Sequence, residues 1–124
     1  MRIMPDDRDP FFDTLLNLDG QVFYMGDKGH RVQFVVSAVP PSPERPHGLT
    51  YTLTVHNPRG ERIAGFDNAH GVPASNGPGG RRQAYDHKHR FKTVRPYDYR
   101  DAAALLEDFW KLAEAVLHEE GVTL

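Results

Sequence analysis

The stretch Leu49-Thr50-Tyr51-Thr52-Leu53-Thr54-Val55-His56-Asn57 alternates apolar and polar residues from end to end. Successive side chains of a strand point to opposite faces of a sheet. Leu49, Tyr51, Leu53 and Val55 therefore share a core face, while Thr50, Thr52, Thr54 and His56 face outward or into a cleft. This period of two predicts a strand, and the rest of the fold is read outward from it.

Toward the N-terminus, His30 to Val39 alternates in the same way, with Val32, Phe34, Val36 and Ala38 on one face. Gln21 to Met25 is a short apolar run, and Gly26-Asp27-Lys28-Gly29 supplies a tight turn between the two. The pair predicts a hairpin. Between the hairpin and residue 49 runs Pro40-Pro41-Ser42-Pro43-Glu44-Arg45-Pro46. Each proline lacks an N–H, so this segment is an exposed extended connection rather than part of a sheet. Phe11 to Leu18 reads as a short helix or a strand, closed by the Asp19-Gly20 turn signal.

Toward the C-terminus, Asn57-Pro58-Arg59-Gly60 is a turn, and Glu61 to Phe66 makes the next strand. Tyr85 to Val94 holds another short strand. The last element is an amphipathic helix: Ala102, Leu105, Leu106, Phe109, Ala113, Val116 and Leu117 recur at three- and four-residue spacing. Asp101 is its N-cap and Gly121 ends it. Phe109 and Trp110 are adjacent, so one of the two points into the core and the other covers the helix flank or meets a partner. The predicted class is α+β: an antiparallel sheet of about four or five strands packed on one long C-terminal helix, since that helix must bury its apolar stripe. Residues 12–121 form one domain, with 1–11 a disordered leader and 71–84 a flexible Gly/Pro-rich loop.

Composition narrows the function classes. The chain has 124 residues, enough for one core and not two. No run approaches the ~20 apolar residues of a membrane helix, and the charged start is no secretory signal. Membrane partners are therefore not expected. There are no cysteines, which excludes disulfides and thiolate metal sites and is compatible with a reducing cytoplasm. The net charge of −2 conceals an uneven layout. Arg81, Arg82, Lys88, Arg90, Lys92, Arg95 and Arg100 face only Asp86 and Asp98 in residues 81–100, just before an acidic helix. Such a block attracts phosphate, or it is simply a solvated loop.

Six of the seven histidines fall between His30 and His89. Two segments concentrate the polar chemistry, Phe66-Asp67-Asn68-Ala69-His70 and Tyr85-Asp86-His87-Lys88-His89. In a strand His87 and His89 point the same way, with Asp86 and Lys88 facing the other. Asp67 is placed to orient an imidazole. If the two segments are neighbours, His70, Asp86, His87 and His89 meet in one cleft. Two functional readings then compete with ordinary solvated histidines. In the first, one His takes a proton from a ribose 2′-OH, another protonates the leaving oxygen, and Arg82, Lys88 or Arg90 holds the phosphate. In the second, two His and a carboxylate bind a metal, without the helical spacing that would make such a set specific. His47 has a turn role with a reach toward the cleft, and Asn68 closes its strand through an Asx-turn. No cofactor is specified by the pattern.

Taken together, Pro46-His47-Gly48-Leu49-x-Tyr51-x-Leu53, Gly65-Phe66-Asp67-Asn68-Ala69-His70, Asp86-His87-Lys88-His89 and Leu105-Leu106-x-Asp108-Phe109-Trp110 resemble the TumE family of bacterial toxins. The resemblance spans about residues 20–117, in order. It implies the toxin of a toxin–antitoxin pair with a helix-turn-helix antitoxin as partner. RNA as the target is read from the histidines and the basic block. The alternative is a non-enzymatic protein- or nucleic-acid-binding module, in which the exposed prolines and Trp110 matter more than the histidines. The polar signature of the resemblance falls on Asp67, Asn68, His70, Asp86, His87 and His89. In many relatives the two polar segments lie closer together than here, where residues 71–84 separate them. That departure makes the loop a lid or a partner-binding segment.

Overall fold

The alternating stretch forms the centre of the sheet. In the computed structural model, which describes residues 9–68, 72–73, 83–84 and 86–123, β3 is Leu49–His56. On its left stand β2 (His30–Ala38) and β1 (Val22–Met25); on its right stand β4 (Arg62–Asp67), β7 (His87–Arg90) and β8 (Thr93–Pro96). Every neighbouring pair is antiparallel. Two short strands, β5 (Val72–Pro73) and β6 (Gln83–Ala84), pair with each other apart from this sheet.

The class is α+β, as the periodicity predicts, but the main sheet has six strands rather than four or five. The extra strand comes from the segment expected to hold one. It turns back on itself through Phe91 and Lys92, with Arg90 paired to Thr93. Phe91 takes a φ of 53°, the left-handed conformation a tight two-residue hairpin turn demands. A non-glycine residue pays roughly 1–2 kcal/mol for it. No Asn or Gly marks the position, so the turn has no sequence signal. The segment left open between helix and strand is helix α1 (Phe12–Asn17), which buries Phe12 and Leu15.

Helix α2 spans Ala102–Glu119. Asp101 caps it, its carboxylate accepting from Ala104 N at 2.7 Å. Gly121, at a φ of 80°, ends it, with Val122 N donating to Leu117 O at 2.9 Å. The buried residues Leu105, Phe109, Ala113, Val116 and Leu117 press on the inner sheet face, where Phe109 meets Phe34 and Phe66. Phe109 is the residue that points inward, and Trp110 lies half-buried against Phe34. Leu49, Tyr51, Leu53 and Val55 are all buried on the inner face.

Register then dictates what lies on the outer face. Leu53 pairs with Phe66 and Phe66 with Lys88, so Lys88 and Arg90 share the helix side. Thr52 pairs with Asp67 and Asp67 with His87, while Thr54 pairs with Gly65 and Gly65 with His89. Those residues face away from the helix. Among the described residues, no helix is long and apolar enough to cross a membrane.

Candidate functional site

Three adjacent strand positions build a polar cluster on the outer face. His87 is the register partner of Asp67, and His89 follows two residues later on the same side. His87 Nε2 lies 2.8 Å from Asp67 Oδ1, and His89 Nε2 lies 3.3 Å from Asp67 Oδ2. The two imidazoles stand edge to face, 4.9 Å between centroids. One carboxylate thus holds two imidazoles, each by a different oxygen. All three side chains are buried.

Burying ionisable groups is costly unless they are paired. Asp67 answers for both histidines, and Asn68 fixes the place where Asp67 sits. Asn68 Oδ1 accepts from Tyr51 N at 2.8 Å, and its Nδ2 donates to Leu49 O at 2.8 Å. Its side-chain amide therefore adds a rung to the β3–β4 ladder instead of closing a local Asx-turn.

A fourth residue completes the cluster. Arg62 Nη2 lies 3.1 Å from His89 Nδ1, and Arg62 Nη1 lies 3.9 Å from Asp67 Oδ2. The ladder between β3 and β4 shifts at Val55/His56, pairing His56 with Arg62 and Val55 with Ala64. Ile63 is thereby an extra residue, and the bulge turns Arg62 to the outer face. Simple alternation places it on the inner face with Ala64 and Phe66, which is why sequence reasoning missed it. Gly65, the register partner of His89, adds no side chain here. A Cβ on it would stand 2.6 Å from Leu53 O and 3.2 Å from Thr54 Cγ2.

The arrangement fixes a tautomer. A guanidinium only donates, so His89 Nδ1 must present its lone pair to Arg62, and its proton sits on Nε2 facing Asp67. Burial, reinforced by the Arg62 charge, holds His89 below the ordinary imidazole range against the pull of Asp67.

Asp67, His87 and His89 are also a donor set of metal-ligating type, one ligand atom from each lying within 4.8 Å of the others. Asp67 Oδ1 accepts no aligned hydrogen bond among the described residues, despite the nearness of His87. Arg62 opposes metal use. A His89 that ligated through Nε2 would carry its proton on Nδ1, directly against a guanidinium N–H.

Asp86 belongs to a different cluster, on the helix side. Tyr51 Oη donates to its Oδ1 at 2.6 Å. Tyr99 lies 5.8 Å from the Tyr51 ring, and His47 packs 4.1 Å from Tyr99. Burial pushes the Asp86 carboxyl above the usual carboxylate range, opposed by the Tyr51 hydrogen bond and the neighbouring His47. The phenols of Tyr51 and Tyr99 are pushed up by the same burial.

With this geometry in view, a family model described as Toxin TumE matches residues 14–117, most of the chain. The chain belongs to the TumE toxin family. A comparison with curated proteins finds no match, and neither does one with solved structures. The TumE match covers every strand of the main sheet and all but the end of α2.

Within this TumE-family fold the remaining sequence-nominated residues divide. Asp67, His87 and His89 converge, while Asp86 and His47 form the helix-side cluster. Lys88 and Arg90 line a groove on the helix side with Thr93, Arg95 and Leu112, and Arg90 pairs with Glu119. They stand on the sheet face opposite the two imidazoles. His70 and Arg82 lie outside the described residues, as do residues 1–8 of the leader and most of the 71–84 loop. Asp9 is described, and its carboxylate accepts from Ala102 N. His30, by contrast, is tied to the helix end through Glu120 at 3.1 Å.

Proposed function

We propose that this chain is the toxin of a bacterial toxin–antitoxin pair that acts on RNA in the cytoplasm by acid–base chemistry at Asp67, His87 and His89. The observation that carries the reading is the single carboxylate shared by two buried imidazoles on one strand. Paired imidazoles suit a reaction that needs a proton removed at one oxygen and delivered at another. His89, neutral, takes the proton of a ribose 2′-OH. The 2′-oxygen attacks phosphorus, the bond to the 5′-oxygen breaks, and His87 supplies the proton that oxygen requires. A cyclic phosphate and a free 5′-hydroxyl result. Asp67 positions both rings. On this reading His70 assists and Arg82 holds phosphate, whereas Asp86, Lys88 and Arg90, on the helix side of the sheet, take no part at the scissile bond. The partner that restrains the activity is a helix-turn-helix antitoxin.

Expression of the chain alone, and of His87→Ala and His89→Ala, tests this. Growth arrest with RNA fragments ending in cyclic phosphate is expected for the native chain and loss of both for each variant. Undiminished arrest in both variants counts against the reading.

A non-catalytic metal site is the second reading, favoured by the unaligned Asp67 Oδ1. Elemental analysis and a chelator melt separate the two. Stoichiometric metal and a melting temperature lowered by chelator support this second reading.

A further inference from the structure

We infer that Arg62 is the phosphate-binding residue of the histidine cluster, and that in leaving His89 for a phosphate oxygen it bares the base. The inference rests on the acid–base reading above and adds a residue that neither the sequence motifs nor the family match picked out.

In the free protein both ring nitrogens of His89 are engaged. Nε2 faces Asp67 Oδ2 at 3.3 Å, and Nδ1 faces Arg62 Nη2 at 3.1 Å. A ring so occupied has no lone pair to give a 2′-OH. The occupied lone pair is the Nδ1 one, and a guanidinium guards it. Arg62 has a better partner available, since a guanidinium binds a phosphate oxyanion by two parallel charge-assisted hydrogen bonds, stronger than one to a neutral imidazole.

Arg62 is also placed to meet such a ligand first. His87, His89 and Asp67 have 3%, 11% and 9% of their side-chain surface exposed, and Arg62 has 41%. It lines a surface hollow of about 280 Å³ with Arg59, Lys92 and Phe91. Glu61 and Glu120 line that hollow too, and Glu61 is paired with Arg59. Arg62 is thus the residue common to this hollow and to the histidine pair. A scissile phosphate seated on Arg62 lies beside Nδ1 of His89, the atom just released. Binding and activation become one event: the proton acceptor is exposed only when a phosphate is there.

The test uses the full chain labelled with ¹⁵N at histidine, with inorganic phosphate as the probe. In the native protein, phosphate is expected to shift the His89 Nδ1 resonance saturably, away from its hydrogen-bonded position. In Arg62→Ala, that resonance starts at the free position and phosphate binds about tenfold or more weakly. Arg62→Lys, which keeps the charge without the fork, retains part of the affinity. Equal phosphate affinity and response in native and Arg62→Ala protein would overturn the inference, and so would a native His89 Nδ1 that ignores saturating phosphate. Circular dichroism of each variant guards against misfolding. The RNA assay with His87→Ala and His89→Ala is independent of this readout. Arrest that survives those changes removes the catalytic reading even where the phosphate exchange at Arg62 is observed.

Discussion

Tyr51 Oη donates a 2.6 Å hydrogen bond to Asp86 Oδ1, joining the central strand to the residue just before β7. Burial alone would leave that carboxylate poorly solvated, and the phenol offsets part of the penalty. Because its folded pKa is raised, Asp86 contributes most to stability below its unfolded value of about 3.9, and that contribution is lost as pH rises through the folded value. Tyr51→Phe removes the interaction that opposes the rise. The expected loss is about 1–3 kcal/mol at pH 7 and less at pH 3, below the unfolded value, where the carboxyl is protonated. Urea midpoints at the two pH values check it; a gap independent of pH would show that the pair is uncoupled.

His89 gives the opposite slope. Its folded pKa is lowered, first by burial and then by Arg62, so between that value and about 6.5 the unfolded chain binds more protons. Its share of stability is present above about 6.5 and is lost as pH falls. The urea midpoint should therefore drop between pH 7 and pH 5.5, and drop less in His89→Gln. Parallel pH profiles for the two proteins would remove His89 from the explanation.

Gly65 tests how closely the strands approach beneath the cluster. Its missing Cβ would stand 2.6 Å from a backbone oxygen of β3, which cannot swing aside as a side chain can. Gly65→Ala is expected to destabilise by about 1–3 kcal/mol through overpacking. Thermal melts measure it, and an unchanged melting temperature would mean that the β3–β4 pair yields without strain.

Asn68 is buried and makes two hydrogen bonds to β3. Asn68→Ala leaves Tyr51 N and Leu49 O short of a partner, at a cost on the order of 2–4 kcal/mol. Asn68→Asp keeps an acceptor for Tyr51 N but sets a carboxylate against the Leu49 carbonyl, so it should not rescue. Hydrogen exchange at the Tyr51 amide reports the difference directly: fast exchange in Asn68→Ala, protection in the native chain.

Much of this was legible beforehand because periodicity is a local property. The alternation of residues 49–57 named the inner face, and the stripe of residues 102–117 named the helix. The pairing of His87 and His89 on one side followed from the same rule. Three features resisted for a shared reason. The Phe91 turn, the bulge that redirects Arg62, and the two-ended bonding of Asn68 are all consequences of pairing between strands. Pairing partners lie far apart in the chain, and one sequence carries no record of register. By contrast, the alternation that faced Lys88 away from His87 and His89 was legible. Its phosphate role beside them came from charge counted along the chain, and the register sends Lys88 and Arg90 to the opposite face.

The rung that Asn68 adds has a corollary for chain length. The strand is fastened to β3 at the very residue after Asp67, and His87 is fastened by its own ladder to β4. Neither anchor relies on the peptide that joins them. A change of length between residues 71 and 81 would therefore leave the spacing of carboxylate and imidazole as it is.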